Sequence, residues 1–158
     1  MNLELINTLN AKDYRSNLER HKKLYHSQCI FNINLPIETL EFQFHDNGLL
    51  SGEFICNEDH QGYDGMVHGG IIAALVDASI TQCCMGNDIV ALTTDLTIKY
   101  KKPIFINKHT QIESTIKRMR IGILYFLECK IKQEGKLCVM ATGKFFNIKK
   151  RKEIEIKC

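Results

Sequence analysis

The sequence predicts an α+β domain in which one antiparallel sheet wraps a single long, buried helix. Three observations predict it. Residues 71–85 form a long apolar run with Asp77 as its only carboxylate, and a helix apolar on nearly every side has to be enclosed by other structure. The segments before and after it alternate apolar and polar residues with the period of strands. There is no internal repeat and no second strand–helix alternation, so one sheet and one core helix account for the pattern.

Residues 2–26 are polar with scattered apolar positions (Leu5, Ile6, Leu9, then Leu18, Leu24 and Tyr25). They suit one or two short N-terminal helices docked on the surface. A loop closed by Pro36 follows. Residues 40–57 alternate on both sides of Asp46-Asn47-Gly48, a hairpin signal in which Asn-Gly supplies positive φ angles. Residues 57–65 are a polar loop leading to His68. The helix over 71–85 is expected to stop at Gly86, well suited to a C-terminal cap. Strands are expected at 89–102 (closed by Pro103), 110–119, 121–132 and 136–148, with turns at Arg120 and at 133–135. The order is therefore a hairpin, one long helix, then four strands in a meander. The domain reading is a single unit over 1–158: an N-terminal arm (1–38), a core (39–149) and a basic tail (150–158).

Composition narrows the function classes. At 158 residues, 44% apolar and 25% charged, the chain has the make-up of a soluble globular domain. The last ten residues hold five basic and two acidic side chains, which account for the whole net charge of +3. The body is neutral, which argues against a nucleic-acid partner. The seven cysteines form no CxxC pair, no zinc spacing and no disulfide framework, so no metal is expected and a reducing cytoplasm fits. The first residues lack the apolar core of a secretory signal. No run approaches the length of a membrane span, so no membrane insertion is expected.

The chemistry concentrates around His68-Gly69-Gly70. Glycines let a substrate approach the backbone, and the first amides of a helix are unpaired donors at the positive end of its dipole. Such amides can hold a developing oxyanion. Asp77 is an acid in an apolar helix, where a carboxylate costs several kcal/mol unless paired or hydrated, and the helix offers no Lys or Arg. Asp77 lies eight residues after Gly69, about 12 Å along one helix. One chain cannot bring both groups to one carbonyl, so a site using both needs two antiparallel helices from a two-fold dimer. Thr93 and Thr94, at the start of the next strand, could orient a water. Each feature alone also has a plain reading: flexible helix entry, solvent-facing acid, ordinary β-formers.

Together, GMVHGG (residues 65–70) with its spaced Asp77, and TTDLTIKYKKP (residues 93–103), resemble the hotdog-fold acyl-CoA thioesterases. The likeness is to the HGG-containing group related to phenylacetate-pathway and mammalian mitochondrial thioesterases, over residues 40–148. The resemblance implies a hotdog fold and thioester hydrolysis without metal or redox cofactor. It implies Asp77 as general base or nucleophile, the Gly69 amide as oxyanion donor, and His68 and Thr93 as orienting groups. Gly70, Tyr63, Val67 and Thr94 are then expected to line the substrate site. The implied partners are an acyl-CoA and a second copy of the chain, as a homodimer or a dimer of dimers. Lys149, Lys150 and Arg151 are candidates for the CoA phosphates. The chain departs from its relatives in pairing Asp77 with Ala78 instead of an acid, in having Gly62 where some carry an amide, and in keeping one cysteine near Cys29. A non-catalytic acyl-CoA-binding or regulatory hotdog protein is the alternative. A hydratase or dehydratase would need a His/acid pairing that the sequence lacks.

Overall fold

The computed structural model describes residues 10–25, 27, 29, 37 and 40–148. In chain order these form helix α1 (Ala11–Tyr25), strands β1 (Glu41–Phe44) and β2 (Leu50–Phe54), and a 3₁₀ turn (Glu58–His60). Helix α2 (Gly69–Gly86) follows, then β3 (Ala91–Tyr100), β4 (Thr110–Arg120), β5 (Leu124–Gln133) and β6 (Lys136–Asn147). The strands make one six-stranded sheet, antiparallel at every pairing, in the order β1-β2-β4-β5-β6-β3. Alternation in β5 shows how the sheet sorts its residues. Tyr125, Leu127, Cys129 and Ile131 are buried, while Phe126, Glu128, Lys130 and Lys132 face outward, because successive side chains leave a strand on opposite faces.

The expected four-strand meander is corrected. Only β4, β5 and β6 follow one another in space; β3 pairs with β6 at the far edge. A meander would need a tight turn after β3. The chain instead takes a link over residues 101–109 that passes the entry to α2. Val67 N–H donates to Ile104 O at 2.8 Å and Ile106 N–H to Gly65 O at 3.1 Å. Gln133 holds the link from the other side, its amide bonded to both the N–H and the carbonyl of Phe105.

The β1–β2 hairpin forms where expected, with a different turn. In this turn only Gly48 has positive φ (74°); Asn47 does not, and its side chain accepts the Leu49 N–H at 3.1 Å. This is a three-residue loop closed by a left-handed glycine. Ile121, expected as the start of a strand, sits in the β4–β5 turn at φ 52° and is 89% exposed.

Helix α2 begins two residues earlier than expected, at Gly69. Ten of its 18 residues are buried. Its length and composition would suffice to cross a membrane, contrary to the expectation that no run reaches that size. The sheet and α1 cover it instead. Gly86 is not the left-handed cap: it is the last helical residue, Asn87 is the cap and Asp88 takes the positive φ (57°). Glycine at 86 answers to packing, since a Cβ there would lie 2.0 Å from Cζ of Phe44.

Helix α1 docks on the C-terminal end of α2. Its anchors are Tyr14, Leu18 and His21, one face at i, i+4 and i+7. Leu24 and Tyr25, expected as anchors, are 63% and 52% exposed. Asn17 donates to the otherwise orphan carbonyl of Gly86 at 3.1 Å, and His21 meets Asp88 at 2.7 Å. Tyr14 stacks on Phe44 with ring centroids 5.3 Å apart. Leu5, Ile6, Leu9, Pro36 and the basic tail lie outside the described residues.

Candidate active site

The approach to α2 is a small hydrogen-bonded hairpin. Gly62 N–H donates to Met66 O at 2.9 Å, Met66 N–H to Tyr63 O at 2.8 Å, and the Gln61 side chain accepts the Gly65 N–H at 2.7 Å. Buried His60 in the 3₁₀ turn accepts the Asn57 N–H on Nδ1 and the His68 N–H on its carbonyl. Gly62 lies against His68: a Cβ there would come 3.0 Å from the His68 Cα, which leaves little room for the amide residue some relatives carry.

His68 is the N-cap of α2, with φ −61° and ψ 133°. Its Nδ1 accepts the Gly70 N–H at 2.9 Å, which requires Nδ1 unprotonated. The Gly69 N–H has no acceptor among the described residues. It is an exposed donor at the positive end of an 18-residue helix. Beside it opens a cavity of about 590 Å³ lined by Tyr63, Val67, Gly69, Ile72 and Tyr100, among others, with Lys101 and Lys102. Neither lysine makes an ion pair among the described residues. A larger cleft of about 680 Å³ between α1 and β1 includes neither Gly69 nor Asp77.

Asp77 lies two turns further along α2, half-buried rather than enclosed. The Thr93 hydroxyl donates to its Oδ1 at 2.8 Å. The β3–β6 register shifts between Thr93 and Asp95, and such a bulge re-aims neighbouring side chains. Thr94 is committed elsewhere, donating to the Lys144 carbonyl at 3.0 Å. The structure thus forms two clusters. His68, Gly69, Gly70, Val67 and Tyr63 gather at the start of α2; Asp77 and Thr93 form a pair about 12 Å down the helix. Between and beyond them Ala73, Ala74 and Thr81 are only partly covered, so this face of α2 is open in a single chain.

Residues 64–139 match the thioesterase superfamily. That stretch is just under half of the chain. Acyl-coenzyme A thioesterase THEM4 of Mus musculus is 33% identical over 96 residues, which are 60% of this chain and 41% of the relative. The chain spans about two fifths of the length of the curated relatives it matches. The PaaI protein of E. coli, from the phenylacetic acid degradation operon, superposes with a TM-score of 0.73 at 14% identity, covering 89% of this chain and 96% of that one. A hypothetical thioesterase protein of Streptococcus pneumoniae, solved with coenzyme A, gives 0.66 at 18% identity over 70% and 90%. At these identities the likeness is one of fold, the hotdog arrangement.

Residue types alone did not point to several groups at this site. His60 looked like loop. Lys101 and Lys102 flank the cavity that contains Gly69, whereas Lys149, Lys150 and Arg151, proposed for phosphates, lie outside the described residues. Tyr100 reaches Gly69 directly. The signal for it was its place in the 93–103 motif.

Proposed function

We propose that the chain hydrolyses acyl-CoA thioesters to a carboxylic acid and free CoA, in the cytoplasm, as a homodimer or dimer of dimers. One observation carries this reading: an unpaired amide at the positive end of α2 opens into a cavity, while a carboxylate held by a threonine lies on the same open helix face. The names of the matched relatives support the reaction class, and coenzyme A in a structural neighbour supports the ligand class.

In this reading the thioester carbonyl sits against the Gly69 N–H of one subunit and faces Asp77 of the other. Thr93 occupies Asp77 Oδ1 and leaves Oδ2 for the reaction. Either Oδ2 takes a proton from water as the water attacks, or Oδ2 attacks and water then cleaves the anhydride. Negative charge develops on the carbonyl oxygen at the Gly69 amide. The C–S bond breaks, and the thiolate of CoA takes up the released proton. Lys101 and Lys102 carry the charge that CoA phosphates require.

The test is a thiol-release assay over short, medium, long and aryl acyl-CoAs, run with the wild-type chain and Asp77→Asn. Turnover by the wild type, reduced at least ~100-fold in the variant, is expected for loss of the group that activates the nucleophile. Equal turnover in both would remove Asp77 from the mechanism. Saturable binding without turnover in the wild type would favour the non-catalytic alternative.

A further inference from the structure

Tyr100 ends β3, and its side chain has no part in the steps above. Its hydroxyl donates to the Gly69 carbonyl at 2.9 Å. Its ring stands 3.9 Å from where a side chain on Gly69 would begin. The peptide unit that carries this carbonyl also carries the Gly70 N–H, which donates to His68 Nδ1 at 2.9 Å. One peptide plane is therefore gripped at both ends, by a phenol on its oxygen and an imidazole on its hydrogen.

The need for such a grip follows from the glycines. A Cβ at Gly70 would lie 3.0 Å from His68 Nδ1, so the cap leaves little room for a side chain there. Two glycines in succession are also the most conformationally free pair a chain can have. An oxyanion donor is effective only when it is aimed before charge develops. The Gly69 N–H lies in the preceding peptide plane, with the His68 carbonyl, and rotation about the φ and ψ of Gly69 would turn that plane against the next and spread its direction. Donation to the Gly69 carbonyl also polarises the amide, which strengthens the bond from Gly70 to His68.

We propose that Tyr100 is a positioning residue for hydrolysis: through the Gly69 carbonyl it fixes the peptide plane between Gly69 and Gly70, and with the His68 carbonyl held by the Ile71 and Ile72 N–H groups at 3.0 and 3.2 Å, it fixes the φ and ψ of Gly69 and so the aim of its N–H. This inference rests on the hydrolytic reading. Tyr100 is 52% exposed, so its hydroxyl adds little to global stability and can be removed cleanly.

Tyr100→Phe keeps the ring and deletes the donor. The expected result is kcat about tenfold lower with KM within about twofold, the size of one lost charge-orienting hydrogen bond. Thermal stability should be unchanged, and the Gly69 and Gly70 amide resonances should shift and exchange faster with solvent. An unchanged kcat, or a raised KM with kcat intact, would overturn the proposal. The amide readout keeps the two hypotheses separable. A wild type that turns over no acyl-CoA defeats the hydrolytic reading, and with it the catalytic purpose of the grip, whether or not the amides move. A wild type that turns over beside an equally active variant defeats the inference alone.

Discussion

Gly69 offers a way to remove one hydrogen atom and little else. It is the first helical residue after the cap, where proline is tolerated because its missing N–H would have no intrahelical partner. His68 at φ −61° and ψ 133° already has the extended shape that a residue before proline requires. Gly69→Pro should therefore fold with near wild-type thermal stability and lower kcat by ~100-fold, the cost of one oxyanion donor. Wild-type turnover in that variant would acquit the amide. A helix start close after His68-Gly69-Gly70 was legible in the sequence because a helix start is a local event; His68 as its cap was not, since the helix was expected two residues later. The bond from Thr93 to Asp77 was not, since it depends on how β3 docks beside α2. The threonine was expected to hold water; its donated proton goes to the carboxylate itself.

Elements were read well where periodicity is strong and less well at their ends. The alternation of β4, β5 and β6 and the apolar run of α2 gave their positions to within a few residues. Gly86 shows why the ends are harder. A glycine at a helix terminus signals a left-handed cap, but here the same residue permits contact with the Phe44 ring, which no sequence window contains. Gly86→Ala should thus behave as overpacking rather than as a lost cap. It should destabilise by about 3 kcal/mol, seen in denaturant titration, whereas a helical position free of contacts would gain from alanine. In α1 the difficulty ran the other way: polar His21 completes the buried face with Tyr14 and Leu18, in place of Leu24 and Tyr25.

For the whole molecule, strand order was the part that sequence order could not supply, because β3 waits for a partner 45 residues downstream rather than the next strand. The split between the two site clusters carries a sharper test. Mixing Asp77→Asn chains with Gly69→Pro chains, each inactive alone, should restore about a quarter of wild-type activity after subunit exchange. Half of the random dimers are mixed, and each has one intact site of two. No recovery despite proven exchange would place both groups in one chain. The buried thiols set a separate limit. Burial pushes Cys83 and Cys129 up to about 12 and Cys56 to about 11. Unfolded thiols ionise near 9, so between pH 9 and 12 the unfolded state loses protons first and stability falls as pH rises. Thermal midpoints measured across that window should drop, and replacing Cys83 with Ser or Ala should flatten the slope even where it lowers stability.

The edge position of β3 also governs how the chain must be made. Synthesis delivers α2, as apolar as a membrane span, well before β4, β5 and β6, and β3 has no ladder until β6 has emerged. The nascent chain therefore carries an apolar helix covered only by α1 and the β1–β2 hairpin until the later strands have emerged. Folding of the core is a closing event rather than a running one, and a chain stopped short of β6 would leave the helix incompletely covered and the Thr93 strand without its ladder.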